Sequence, residues 1–392
     1  MKYLKFAGIG IMVIVIATQC GSDPKGPIEK DTVPPGQISN VIVSALSGAV
    51  KISYTLPSDP DLLYVVAEYT NKMGRKFEFK SSYYTNSLIM NGFGDVSPYD
   101  VTMYAVDRSG NRSASVTKSV TPNTPPVLVA YSSLELVADF GGIRVSFENP
   151  SKADLSIVVR TPDLEGKMAI ATTYYTASEK GYFVMRGYAP KSRKFEVYIA
   201  DRWGNTSDVR LAEITPILEV QLDKAKFKEV FLPGDSPGTT YGGALRKMWD
   251  GSTTPGGGRY YHSGNAPSTV PKMLTFDLGV EAKLSRFALQ APSNDIFNDV
   301  ALKKYEIWGT ITLDPSGSFD GWTKLLDVTS VKPSGLPRGQ LTAEDREAGK
   351  RGDERGFSIN LPRVRFIRIR CLENWSGSTN MVISEVTFWG TE

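Results

Sequence analysis

Two stretches of this chain repeat each other at nearly constant spacing, and that limits what it can fold into more than any other feature. Gly48-Ala49-Val50-Lys51-Ile52-Ser53-Tyr54 is matched by Gly141-Gly142-Ile143-Arg144-Val145-Ser146-Phe147, an offset of 93. Tyr83-Tyr84-Thr85 returns as Tyr174-Tyr175-Thr176, and Tyr104-Ala105-Val106-Asp107-Arg108-Ser109-Gly110-Asn111 as Tyr198-Ile199-Ala200-Asp201-Arg202-Trp203-Gly204-Asn205, at offsets of 91 and 94. Three matches in one order define tandem units at residues 38–122 and 123–216, separated by the proline-rich stretch from Thr121 to Pro126. Within each unit the apolar residues alternate, as Val50, Ile52 and Tyr54 do against Lys51 and Ser53. A period of two means strands with one buried face. Asp-Arg-x-Gly-Asn is a turn, because Gly and Asn accept positive φ and Asp caps backbone two residues on. About seven short strands in about ninety residues predict a small sandwich for each unit.

These residues resemble fibronectin type III modules, whose later strand carries a Tyr, alternating apolars and an Ala-x-Asp-x-x-Gly-Asn turn. Tyr99, eight residues before Asp107, stands where that family has its corner tyrosine; Arg193 occupies the matching place in the second unit, the more divergent copy. Trp203, at the tip of the second turn, either closes the end of a sandwich or offers an aromatic platform.

The amino terminus reads as an export signal: Lys2 and Lys5 precede an apolar run from Phe6 to Ala17 that is too short to span a bilayer. Small residues then lead to Cys20, and residues 1–20 resemble a bacterial lipoprotein signal with Cys20 the lipidated residue, although Gln19 departs from the usual small side chain. The competing reading is an ordinary signal with an incidental cysteine. Lipid would hold the protein at a membrane, since each buried methylene contributes about 0.8 kcal/mol. Residues 21–37, rich in Pro, Gly and charge, suit a tether. Cys371, the second of two cysteines, alternates with Ile367 and Ile369 and is expected to be a buried, inert thiol.

From residue 217 to 392 the loops lengthen and aromatics become denser. Trp249-Asp250-Gly251-Ser252-Thr253, Phe276-Asp277-Leu278-Gly279, Tyr305-Glu306-Ile307-Trp308-Gly309, a lone Trp322, Arg365-Phe366-Ile367-Arg368-Ile369 and Ser384-Glu385-Val386 follow in order. The ordered set resembles a discoidin domain, the coagulation factor five/eight type C module. The fold class expected is therefore all-β: two small fibronectin III-like sandwiches followed by a discoidin-like, eight-stranded jelly-roll β-sandwich. The whole arrangement resembles surface lipoproteins that Bacteroidetes encode beside their outer-membrane glycan importers.

That resemblance implies a non-catalytic cell-surface glycan-binding lipoprotein, anchored in the outer membrane, facing the exterior and serving a glycan transporter complex. The alternative is a structural or adhesive lipoprotein that binds a neighbouring protein or a host surface component. Sugar recognition needs flat apolar surface and planar polar groups. Arg259, Tyr260, Tyr261 and His262, after a glycine run, and Asn374 with Trp375, in a polar loop, supply both. Tyr261 and Trp375 either meet the ligand or merely cover the sandwich end. The resemblance also implies a structural calcium held by Asp250, Ser252, Thr253 and Glu385, the rival reading being that Asp250 is a plain turn cap. If calcium holds that loop, a chelator lowers the melting temperature of the third region. No organic cofactor is expected.

Other functions are disfavoured. Lys and Arg total 45 against 42 Asp and Glu, with no block of one sign, so the footprint of a nucleic-acid binder is missing. One histidine and two cysteines cannot build a Cys/His zinc site, and a Ser-His-Asp centre would have to use His262. Acidic pairs such as Asp59 with Asp61 lack the enclosure a glycosidase needs. Arg351-Gly352-Asp353 lies in a charged run, 344–355, that reads as a solvated loop.

Overall fold

A computed structural model describes residues 31–254, 258–265 and 271–392. The signal with Cys20, and the tether up to residue 30, lie outside the described residues. Among the described residues the chain is all-β apart from two short α-helices and a few 3-10 turns, and it divides into two units. The first unit runs to Val129 and includes the turn Asp201–Thr206; the second holds Ala130–Ala200 and Ser207–Glu392.

In the first unit, strands Ser39–Leu46, Ala49–Thr55 and Ser87–Asn91 form one sheet. Lys76–Ser82, Leu62–Thr70, Tyr99–Asp107 and Val116–Val120, in that spatial order, form the other. The alternation does what a period of two requires: Val50, Ile52 and Tyr54 are buried against Val65, Ala67, Val101 and Met103, and Lys51 is exposed. Tyr99 is buried and its hydroxyl donates to Asp95 Oδ1 at 3.0 Å, which pins the corner. In the repeated turn, Asp107 accepts from the Asn111 backbone and side chain at 2.8 and 2.9 Å, and Asp201 accepts from Asn205 at 3.0 and 2.9 Å. Trp203 is half-buried, 5.9 Å edge-on from Phe77 and 6.1 Å from Phe79, and so closes a sandwich end and is not a free platform.

The second repeat has the same plan. Lys180–Met185, Gly142–Glu148 and Glu135–Asp139 make one sheet; Met168–Thr176, Leu155–Pro162, Arg193–Asp201 and Arg210–Ile214 make the other. Arg193, where the first repeat has its corner tyrosine, lies over the Tyr188 ring at 4.6 Å and donates through Nε to Thr161 Oγ1 at 2.7 Å. Within this unit Glu219 ties the repeat to the third region: it ion-pairs with Arg186 at 3.4 Å and Arg286 at 3.3 Å and accepts from Ser285 Oγ at 2.6 Å.

The third region is built around one long strand, Met273–Gln290. Its first half pairs with Lys228–Val230 and Val364–Asn374, and its second half with Glu385–Thr391 and Asp353–Gly356. One strand therefore serves both layers of the sandwich, and the register breaks between Asp277 and Ala282 where it turns the corner. Gly279 sits there at φ +73°, and a Cβ on it would lie 2.2 Å from the Lys226 carbonyl oxygen. Its N–H donates to Asp277 Oδ1 at 2.7 Å, and Arg365 grips both Asp277 oxygens at 2.9 and 2.8 Å. Phe276, Phe287, Phe388, Ile307, Ile367 and Ile369 fill the space between layers. Cys371 is fully buried, and burial pushes its thiol up to about 12, so it is inert. On the opposite face Arg368 is also fully buried, held between the Phe319 and Trp322 rings at 4.7 and 4.6 Å. Its Nε donates to Thr275 Oγ1 at 3.0 Å and its Nη1 to the Gly317 carbonyl at 3.0 Å.

Gly279→Ala and Gly321→Ala separate strain from overlap, because both glycines have positive φ but nothing lies within 4 Å of a Cβ at Gly321. Gly321→Ala is expected to cost about 1 kcal/mol and Gly279→Ala about 3 kcal/mol or more. Urea unfolding followed by tryptophan fluorescence measures this, as five of the six tryptophans lie in the third region.

Candidate functional site

Four loop segments of the third region meet at one end of the sandwich. Tyr261–His262 pairs with Val382–Ile383, and Val382 bridges to Ala301. The Trp375 N–H donates to the Ala301 carbonyl at 3.1 Å, and Asn380 Nδ2 donates to Asn265 Oδ1 at 3.0 Å. Segment 291–301 thus lies between the tyrosine–histidine segment and the tryptophan loop, so the two stretches singled out in the sequence do converge.

Their residues divide into those that build the end and those that face outward. Tyr261 is fully buried; its hydroxyl donates to the Ser236 carbonyl at 3.0 Å, and a Cβ on Gly238 would fall 2.1 Å from its ring. It is a core residue and cannot present a face to a ligand, which corrects the expectation. Asn374 is also fully buried and saturated within its own loop. Its Nδ2 donates to Ser378 Oγ and the Asn380 carbonyl at 2.7 and 2.8 Å, while its Oδ1 accepts from the Ser376 and Ser378 backbone at 3.0 and 2.9 Å. It positions Trp375 and is not itself a ligand contact.

Arg259 is exposed, and Tyr260 and His262 are half-buried. His262 Nδ1 accepts from the Gly264 N–H at 3.0 Å, and burial lowers the imidazole pKa, keeping the ring neutral near neutral pH. Its ring meets Tyr241 edge-on at 5.1 Å. Tyr241 is 71% exposed and carries φ +56°. Nothing in its sequence surroundings singled it out.

Trp375 lines a cavity of about 310 Å³ together with Phe297, Ile296, Tyr305, Arg351 and Asp353. Phe297 stands edge-on to the indole at 5.5 Å, and Lys303 Nζ lies 5.6 Å from its ring centroid. Inside, the Tyr305 hydroxyl donates to Asp353 Oδ2 at 3.1 Å while Arg355 pairs with Oδ1 at 2.8 Å. Burial raises the Asp353 pKa, against the pull of Arg355. Arg351 and Asp353 were expected in a solvated loop. Instead, helix Ala343–Arg351 starts at a capping box of Thr342 and Asp345, and strand Asp353–Gly356 pairs with the long strand. The signal was present as Thr342-Ala343-Glu344-Asp345 with Gly352 at the far end.

Phe297 and Asp299 also have positive φ, +49° and +42°, so three of the five non-glycine residues with positive φ among the described residues lie at this end. Each such conformation costs about 1–3 kcal/mol and persists where surrounding structure imposes it.

The implied calcium ligands come together but do not fit the ion. Glu385 is 5% exposed; one of its oxygens pairs with Lys224 Nζ and the other accepts from the Gly251 N–H at 2.8 Å. Asp250 caps the Ser252 N–H through Oδ1 at 3.0 Å and pairs with Lys247 Nζ through Oδ2 at 3.0 Å. Ser252 Oγ accepts from the Thr254 N–H at 3.4 Å, and Thr253 is exposed. Both carboxylates already hold an ammonium.

Asp295, half-buried in the central loop, has its pKa pushed up to about 6 by burial and by the neighbouring Asp299 carboxylate. A carboxyl raised in the folded state contributes stability below its unfolded pKa, and that contribution is lost as pH rises through the folded value. Asp295→Asn is therefore expected to raise the melting temperature at about pH 7 and to leave it unchanged at about pH 4. Thermal melts of both proteins across that range measure the difference; equal melting points throughout contradict it.

Three family models match: DUF4959 over residues 35–122, DUF5126 over residues 123–225 and DUF5000 over residues 249–390, each described as a domain of unknown function. Among curated proteins no relative matches. Solved structures similar to the chain include the family 32 CBM from C. perfringens NanJ in complex with galactose, at 16% identity, covering 44% of this chain and 98% of that one with a TM-score of 0.30. A two fibronectin type-III domain segment from chicken tenascin is 14% identical, covering 46% of this chain and 99% of that one with a TM-score of 0.22. SusE-like protein BT2857 is 33% identical, covering 68% of this chain and 99% of that one with a TM-score of 0.46. With a third of the residues identical over the whole length of that relative, the chain belongs to the family of SusE-like proteins.

Proposed function

We propose that this protein is a non-catalytic surface lipoprotein that captures oligo- or polysaccharide for an outer-membrane uptake system, with the cavity beside Trp375 as the receptor. The observation that carries the reading is the pairing, at one loop end, of aromatic faces with fixed polar groups. Trp375 and Phe297 offer apolar surface suited to the C–H face of a pyranose. Asp353, held by Arg355 and the Tyr305 hydroxyl, is placed to accept hydrogen bonds from sugar hydroxyls, and Arg351 at the rim donates. Arg259, Tyr260, His262 and Tyr241 extend the same end of the domain and suit contacts with further sugar units.

Membership of the SusE-like family, and the export signal ending at Cys20, support placement outside the cell on a lipid anchor. The two small sandwiches then act as a spacer. A cavity of this size takes one or two sugar units and binds weakly, but confinement beside a transporter raises the effective concentration.

Affinity electrophoresis of the mature chain in gels containing single polysaccharides tests the proposal. Trp375→Ala is expected to weaken retardation at least tenfold, about 1.4 kcal/mol. Tyr84→Ala, at an exposed tyrosine of the first repeat, should leave it unchanged. Retardation by no glycan, or equal retardation of Trp375→Ala and the parent, removes the receptor. Recovery of a protein partner insensitive to soluble sugars would instead support the adhesive role.

A further inference from the structure

In the third region, the loop Asp250–Thr253 and the strand Glu385–Thr391 approach each other through two acidic side chains. Such an approach needs positive charge between its parts, since a carboxylate shielded from water is costly unless paired. Here the positive charge is covalently part of the chain. Lys224 opens the 3-10 turn Lys224–Lys226, whose N-terminal cap is the Asp223 carboxylate accepting from the Ala225 N–H at 3.0 Å. That turn aims the lysine, itself only 20% exposed, at the buried Glu385 carboxylate. Lys247 lies in the 3-10 turn Leu245–Trp249, three residues before Asp250, and reaches its free oxygen.

We infer that Lys224 and Lys247 together take the place of a structural divalent cation, so that this jelly roll closes its Asp250–Thr253 loop with two ammonium groups and is independent of calcium. The charge accounting is direct: two ammonium groups carry the same +2 as one calcium ion, and they meet the same two carboxylates. The geometry differs in a way that excludes simple replacement. A calcium ion needs six to eight oxygens converging at about 2.3–2.6 Å. Asp250 instead directs one oxygen to its own loop backbone and the other to Lys247, while the second oxygen of Glu385 is taken by the Gly251 N–H. The Gly251 contact matters most, because it joins loop to strand directly, and Lys224 is the counter-charge of the carboxylate that makes it.

Lys224 is thus the dominant partner, buried against a buried acid, and Lys247 the lesser, since it and Asp250 are each about a third exposed. Removing Lys224 alone leaves Glu385 buried without a counter-charge. Removing both partners leaves a neutral pair, which proteins tolerate far better.

The test is a set of thermal melts on the full mature chain, followed by tryptophan fluorescence. The parent protein, stripped with chelator and then titrated with calcium chloride, is expected to keep its melting temperature within about 1 °C. Lys224→Met should lower it by about 4–8 °C, and Lys224→Met combined with Glu385→Gln should recover more than half of that loss. A parent melting point that drops on chelation and returns with calcium overturns the inference. So does a Lys224→Met variant that melts with the parent, or a double variant that falls as far as the single one. None of these three outcomes bears on glycan capture, which the affinity gels read separately.

Discussion

The corner at Gly279 is the constraint on which the third region depends. A strand of eighteen residues enters one sheet and leaves through the other, so both layers share a backbone and cannot slide independently. The turn needs a residue without a side chain, because the Lys226 carbonyl occupies the space a Cβ would take. It also needs a fixed direction, which Asp277 provides by accepting from Gly279 while held by the fork of Arg365. The motifs that carry the family likeness, Phe276-Asp277-Leu278-Gly279 and Arg365-Phe366-Ile367, are the two sides of this one contact.

Once the layers are locked, the loops at one end are brought into register, and their residues take one of two roles. Buried polar and aromatic groups shape the backbone: Asn374 satisfies five partners within its own loop, and Tyr261 plugs the end beneath Gly238. Their neighbours in sequence face outward: Trp375 next to Asn374, and Tyr260 next to Tyr261. An internally saturated residue thus holds its neighbour in place, so that the loop is ordered by its own hydrogen bonds. The positive φ values at Tyr241, Phe297 and Asp299 belong to the same arrangement, since strain survives only where packing enforces it.

Electrostatics is handled locally throughout the region. Lys224 meets Glu385, Arg365 meets Asp277 and Arg355 meets Asp353, each pair placing a largely shielded carboxylate against a nearby cation. A near-neutral chain with no charged block is what such local pairing looks like in composition. Glu219 extends the pattern to the join with the second repeat, where Arg186 and Arg286 meet on one carboxylate.

The architecture was legible in the amino-acid order because its signals are local. Alternation of Val50, Ile52 and Tyr54, the repeated Asp-Arg-x-Gly-Asn turn and the matched spacing of the two units each depend on residues close in the chain, and they fold as they read. The meeting of the two candidate stretches at one end of the sandwich was legible in the same sense. Which side chain in each loop faces solvent was not. Tyr260 and Tyr261 are chemically alike and adjacent, and only the pairing of Tyr261 with Ile383, more than a hundred residues away, buries one of them. Likewise Asp250 and Glu385 carry no mark of whether they await a metal ion, because Lys224, 161 residues from Glu385, is brought to it by folding alone. The sequence by itself determined the strands, turns and repeats, which short-range sterics and periodicity dictate. The tertiary structure alone decided exposure and charge pairing, which depend on contacts between distant parts of the chain.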